Sequence, residues 1–234
     1  MTTLFLLRHG LTAQTGKVLY GQTPGIPLDE RGKRQAEQLA ERFTSVRLTA
    51  IYSSPLERCA ETVGPLAERQ RLRVVEREEL IEMDAGSWTG STLGRLRRTK
   101  AWREVQSSPS TFRFPGGGES FAEAQARVVA ELVRIARRHR RGRVAVATHG
   151  DVVRLALAHA LGVPLDGFQR VVVDTASVSV LAADGAKLRL LLANDTGGLE
   201  RFAAPPTASR RSDGVKRSGG ARSRGARSGS DLQG

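Results

Sequence analysis

The sequence predicts an α/β chain folded as a three-layer α/β/α sandwich around a mostly parallel central sheet. Three features point there. Short, wholly apolar runs recur along the chain, as in strands buried on both faces. They alternate with longer segments whose apolar residues fall at helical spacing. Two of the runs also end in the same way, passing through one polar residue into a histidine and a glycine.

"TLFLL" at 3–7 is the first apolar run and stops at Arg8. "LDERGKRQAEQLAERF" at 28–43 places Ala36, Leu39, Ala40 and Phe43 on one helical face, with Asp29 as N-cap. "TAIYSS" at 49–54 is a second strand. In the segment that follows, Ser54 and Glu57 have capping-box spacing and Pro55 takes the first helical position. "LRVVE" at 72–76 is a third strand. Residues 86–118 show no clear period and end in the Gly-rich "FPGGGES". Ser120 and Glu123 form a second capping box, opening a helix to about His139 with Val128, Val129, Leu132, Ile135 and Ala136 inward. "RVAVA" at 143–147 is the fourth strand. After "THGD" comes a helix over 152–161, ended by Gly162 and Pro164. "SVSVLAA" and "KLRLLLA" flank Asp184-Gly185, a hairpin signal, so the sheet closes with an antiparallel pair.

Composition narrows the function classes. At 234 residues, with 39% hydrophobic and 26% charged residues, the chain supports one sizeable domain, expected over 1–204. Residues 205–234 are rich in Pro, Gly, Ser and Arg, and are expected to be a disordered basic tail. The tail holds +5 of the net charge of +13, which leaves +8 on the domain. That balance suits acidic small molecules. Without interleaved aromatics it gives no sign of specific nucleic-acid binding. The lone Cys59 excludes an intramolecular disulfide framework, and His9, His139, His149 and His159 show no metal-ligand spacing. No signal peptide or membrane-length run is visible, so a cytoplasmic protein is expected. Oligomeric state is open, with a homodimer as one candidate.

In an open α/β sheet, ligands bind beyond the carboxyl ends of the strands. That rule puts Arg8-His9-Gly10 and Thr148-His149-Gly150 on one rim. Arg58 falls in the first turn of the helix after the second strand, where free N–H groups already favour an anion and a guanidinium fork matches phosphate oxygens. The tripeptide "GGG" at 116–118 lacks the G-K-[ST] of a P-loop and is taken as a hinge or a loop near the site. Cys59 has no assigned histidine base and is taken as a buried thiol. His139 is expected to be solvated at a helix end. His159 is placed near the core edge with no role. Arg95, Arg97, Arg98, Lys100, Arg103 and Arg113 form either a solvated basic face or an attractor for polyanionic substrates.

"LRHGLT" (7–12), "SSPLERCAET" (53–62), "LIEMDAGSWTG" (80–90), "FPGGGESF" (114–121) and "ATHGDVVR" (147–154) together resemble branch 1 of the histidine phosphatase superfamily, the phosphoglycerate-mutase-like group, over about residues 3–200. "GSWTG", "AWREVQSSPS" and "FPGGGES" look most like actinobacterial proteins often labelled probable phosphomutases. The resemblance implies His9 as a nucleophile forming a phosphohistidine, with Arg8, Arg58 and His149 around the phosphoryl group. It implies Glu82 as the acid and then the base, with Glu78, Glu79 and Asp84 as neighbouring carboxylates. Many members carry an asparagine shortly after R-H-G. Here the stretch is "LTAQTGK", and Thr15 or Gln14 is the candidate replacement.

The implied function is metal-independent, cofactor-free hydrolysis of a small phosphomonoester. A phosphoglycerate-mutase-type phosphomutase is the first alternative and a non-catalytic phospho-ligand binder the second. About thirty residues separate Glu82 from "FPGGG", too few for the long mutase insertion, so an open site favours water as acceptor. Activity is expected from mildly acidic to neutral pH.

Overall fold

The computed structural model describes residues 1–197. The basic tail expected over 205–234 lies outside them. The predicted sandwich is present. Strand β1 (Thr2–Arg8) leads through a loop and the two-residue β2 (Val18–Leu19) to helix α1 (Glu30–Arg42). Strand β3 (Ala50–Ser53), helix α2 (Glu57–Gln70) and strand β4 (Val74–Glu76) follow. A cap then runs through β5 (Ser91–Thr92), α3 (Leu93–Leu96) and α4 (Lys100–Ser107). Helix α5 (Phe121–Arg138), strand β6 (Arg143–Thr148) and helix α6 (Gly150–Leu161) come next, and the hairpin β7 (Val178–Asp184) and β8 (Lys187–Asp195) closes the fold.

The main sheet has six strands in the order β4-β3-β6-β1-β7-β8. Strands β4, β3, β6 and β1 pair in parallel, while β7 is antiparallel to both of its neighbours. Alternate side chains explain why "TLFLL" is wholly apolar. Leu4 and Leu6 pack with the residues of α5 and α6, and Phe5 and Leu7 with those of α1 and α2. At its start, β1 is tied to the end of α5, where Thr2 Oγ1 donates to the carbonyls of Ala136 and His139.

Two expected caps form. Asp29 accepts from the amides of Arg31 and Gly32, and Ser120 and Glu123 make the full capping box. The Ser54–Glu57 box does not. Helix α2 begins at Glu57 with Leu56 as its N-cap, because Ser54 Oγ is engaged with His149 and Glu57 Oε1 with the amide of Gly25. His139 is not solvated either: it is partly buried, and its Nε2 meets the Tyr52 hydroxyl at 2.9 Å. His159 is exposed on the last turn of α6, outside the core edge.

Residues 86–112 hold short helical turns rather than a bare loop, because an aromatic cluster of Trp88, Trp102, Phe112, Phe114 and Phe121 organises them. Among the described residues, no helix is long and apolar enough to cross a membrane.

Candidate active site

Strands β1 and β6 are adjacent, in register, with Arg8 opposite Thr148. The residues after each strand therefore leave the sheet side by side. The His9 amide donates to the Thr148 carbonyl at 3.0 Å, and the rings of His9 and His149 lie 5.3 Å apart. Both are buried, His9 at 2% exposure and His149 at 0%.

His9 is oriented by its own loop. Its Nδ1 lies 2.8 Å from the Gly10 carbonyl, which only accepts, so Nδ1 carries the proton. That leaves the lone pair on Nε2. Burial, with Arg58 and Arg8 nearby, pushes the His9 pKa down to about 3, so the ring is neutral. Burial and the same positive surroundings also hold His149 well below its ordinary value.

The glycines after the two histidines serve packing. A Cβ on Gly10 would fall 2.9 Å from the Gly32 carbonyl of α1, and one on Gly150 would fall 3.2 Å from Arg8 Nε. The first lets α1 approach the loop, and the second makes room for a guanidinium. Gly118 likewise packs tightly against the Asp84 carbonyl, so "GGG" holds the 84–86 turn.

Arg58 is wholly buried. Its Nη2 donates to Gly21 O at 2.7 Å, its Nη1 to Thr23 O at 3.3 Å, and the Tyr20 ring covers it at 4.7 Å. Arg8 Nη1 donates to Val173 O at 2.7 Å. In both arginines the buried Nε has no hydrogen-bond partner among the described residues. A buried donor left unpaired is costly, so two of them around one neutral histidine mark a place for anionic oxygens.

A cavity of about 250 Å³ opens over His9. Arg8, Thr15, Tyr20, Glu82, Asp151 and Arg154 line it, with Leu93 and Trp102 from the cap. Glu82 is pushed up to about 7, first by burial and then by repulsion from Asp151. Its neighbours Glu78, Glu79 and Asp84 do not line the cavity. Arg127 of α5 fixes the turn before Glu82, donating to the carbonyls of Glu79 and Ile81 while Glu119 grips the rest of its fork.

Thr15 reaches the cavity, whereas Gln14 is exposed. Thr15 Oγ1 accepts from the Thr12 amide at 3.0 Å and lies 3.0 Å from Thr12 Oγ1, an arrangement that can leave the Thr15 proton for a ligand. Cys59 is a buried thiol whose pKa burial pushes up. Arg95, Arg97, Arg98, Lys100, Arg103 and Arg113 are exposed, and none lines the cavity.

Sequence reasoning missed Tyr20, Ser54, Arg127 and Asp151. Only Asp151 left a signal, as a charged residue directly after the second His-Gly. No group of His, Cys, Asp and Glu among the described residues has an arrangement that holds a metal ion.

The branch 1 model of the histidine phosphatase superfamily matches residues 4–196. Phosphoserine phosphatase 1 of Hydrogenobacter thermophilus is 32% identical over 204 residues, covering 86% of this chain and 96% of that protein. The probable phosphoglycerate mutase GpmB of Proteus mirabilis is 31% identical over 183 residues, covering 76% and 84%. Among solved structures, Bacillus stearothermophilus YhfR superposes with a TM-score of 0.78 at 29% identity, covering 83% of this chain and 98% of YhfR. A family match spanning nearly all of the described fold, on a site with paired histidines at adjacent strand ends, leads to one conclusion: this chain belongs to branch 1 of the histidine phosphatase superfamily.

Proposed function

We propose that the protein hydrolyses a small phosphomonoester through a phosphohistidine on His9, without a metal. The observation that carries this is the pair of unpartnered Nε donors of Arg8 and Arg58 around a neutral His9 whose Nδ1 is already committed. His9 Nε2 attacks phosphorus in line while Arg8, Arg58, His149 and Thr15 neutralise and orient the phosphoryl oxygens. The bond from phosphorus to the ester oxygen breaks, and Glu82 gives its proton to that oxygen. The Glu82 carboxylate next takes a proton from water, whose oxygen attacks phosphorus. The P–N bond breaks, releasing phosphate and returning both groups to their starting forms.

A cavity of about 250 Å³ is below the usual range for drug-sized ligands and supports a small substrate. The test is an acid-labile, base-stable phosphoryl label. It is expected on the wild type and absent in His9→Ala, and retention of label and turnover in that variant overturns the reading.

Transfer to a second substrate hydroxyl is the competing outcome, and the roof formed by Leu93 and Trp102 favours it by shielding the phosphohistidine. Supplying 2,3-bisphosphoglycerate with 3-phosphoglycerate separates the two: free phosphate supports hydrolysis and 2-phosphoglycerate supports transfer.

A further inference from the structure

At the end of the sheet away from His9 lies a second and larger cavity, of about 670 Å³. Arg137, Arg140 and Arg141 line it, with Thr2, Ala183 and Asp184. Thr2 begins β1 and Arg8 ends it, so the length of a seven-residue strand, about 20 Å, separates this cavity from the phosphoryl site. A smaller hollow of about 390 Å³ shares Arg137 and Arg140 with it and adds Arg138. Among the described residues that line the two, Asp184 is the one carboxylate.

The four arginine side chains are exposed and make no hydrogen bond or ion pair among the described residues. Arg137 and Arg138 sit in the last turn of α5, where cations suit the helix dipole, but Arg140 and Arg141 lie beyond the helix. The carbonyls of Ala136 and His139 at the end of α5 are already taken by the Thr2 hydroxyl. Arg141 also holds a φ of 61°, the left-handed region that glycine enters freely and arginine at a cost. The turn that imposes it is anchored. The Gly142 amide donates to the His139 carbonyl at 2.8 Å, the Gly142 carbonyl accepts from the Thr3 amide at 2.9 Å, and the His139 ring meets the Tyr52 hydroxyl. The backbone that carries these unpaired cations is therefore ordered before any ligand arrives.

We propose that this end of the molecule binds a compact anion carrying several phosphate groups in a row. Guanidinium forks match phosphate oxygens two at a time, and two hollows that share two arginines fit a chain of phosphates better than a lone one. The larger cavity has the volume of a small-ligand pocket, which favours a compact anion over a nucleic-acid strand. No aromatic ring lines it, so nothing there stacks on a base and the phosphate chain is the part recognised. Free polyphosphate and a nucleoside triphosphate present that same chemistry. The basic residues 205–234 carry the wrong charge to fill the cavity.

The test is calorimetric titration of the full chain carrying His9→Ala, so that no probe is turned over at the other site. Tripolyphosphate and adenosine triphosphate are expected to bind with similar Kd, both more tightly than orthophosphate. Adding Arg137→Gln, Arg140→Gln and Arg141→Gln is expected to weaken both by about a hundredfold, with an unchanged circular dichroism spectrum. Asp184→Asn removes the opposing charge and is expected to tighten both by about threefold.

Equal binding by the triple variant overturns the proposal, because the anion then sits over residue 9 or on residues 205–234. So does binding of adenosine triphosphate without tripolyphosphate, which makes the nucleoside the recognised part. Binding of a single-stranded oligonucleotide alone, the mark of a nucleic-acid surface, overturns it too. If the triple variant does not fold, Asp184→Asn decides: an unchanged or weaker Kd overturns the assignment.

Discussion

Ser54 Oγ lies 2.8 Å from His149 Nε2, and both side chains are wholly buried. Ser54 Oγ also accepts from the Leu56 amide at 3.4 Å, so its own proton is available to His149 Nε2. Ser54→Ala is expected to leave the buried His149 Nε2 with only the weakly bonding Cys59 thiol at 3.5 Å, lowering kcat/KM by about tenfold to a hundredfold. Ser54→Thr, which keeps the hydroxyl, should retain most activity. Steady-state kinetics on both variants, with a denaturation midpoint for each, check this.

Arg127 sets the position of Glu82 through the carbonyls of Glu79 and Ile81. Lysine keeps the charge but cannot hold two carbonyls and the Glu119 carboxylate together. Arg127→Lys should therefore reduce kcat more than it raises KM. An unchanged kcat with a raised KM would mean that the turn does not need this support.

The pH profile follows from two opposite shifts. With its pKa near 3, His9 stays neutral through mildly acidic pH, and Glu82 near 7 stays protonated over the same range, the two forms the proposed reaction requires. Activity should be broad below neutrality and fall above pH ~7, as the acid form of Glu82 is lost. Asp151 contributes to the raised value, so Asp151→Asn should move the alkaline limb to lower pH. The measurement is kcat/KM against pH for the wild type and the variant.

The same shifts act on stability. Glu82 binds its proton more tightly when folded, so its contribution is present at low pH and is lost as pH rises through about 7. Glu82→Gln should be inactive yet more stable than the wild type at alkaline pH, with the gap closing towards pH ~4. His9 and His149 behave oppositely. They bind protons more weakly when folded, so stability falls as pH drops from about 6.5 towards 3. His9→Asn should flatten that acid loss. Urea midpoints across pH test both slopes.

The layers of the fold were legible because their signals are local. The run Leu4–Leu7 is apolar on every residue, which only a strand covered on both faces requires. Ser120 and Glu123 cap α5 because Glu123 holds the cap through Oε2 while its Oε1 takes the Arg113 guanidinium. Ser54 and Glu57 have the same spacing, but His149 and the Gly25 amide claim them, and both partners are distant in sequence. The cap over 86–112 was opaque for a similar reason: stacked and edge-on rings hold Trp88 and Trp102, not a period. Arg8, His9, Arg58 and His149 were found because strand ends and a helix start announce the rim. Tyr20 and Arg127 come to that rim only through the folded chain.

The register between β1 and β6 gives the paired histidines a spacing that no loop sets. Their 5.3 Å ring separation is close to the ~4.8 Å between neighbouring strands. The His9 amide is itself the last rung of that ladder, bonded to Thr148. The backbone that carries the two histidines is therefore tied to the central ladder. Amide exchange at His9 should be as slow as in the heart of the sheet, and activity and fold should disappear in a single transition.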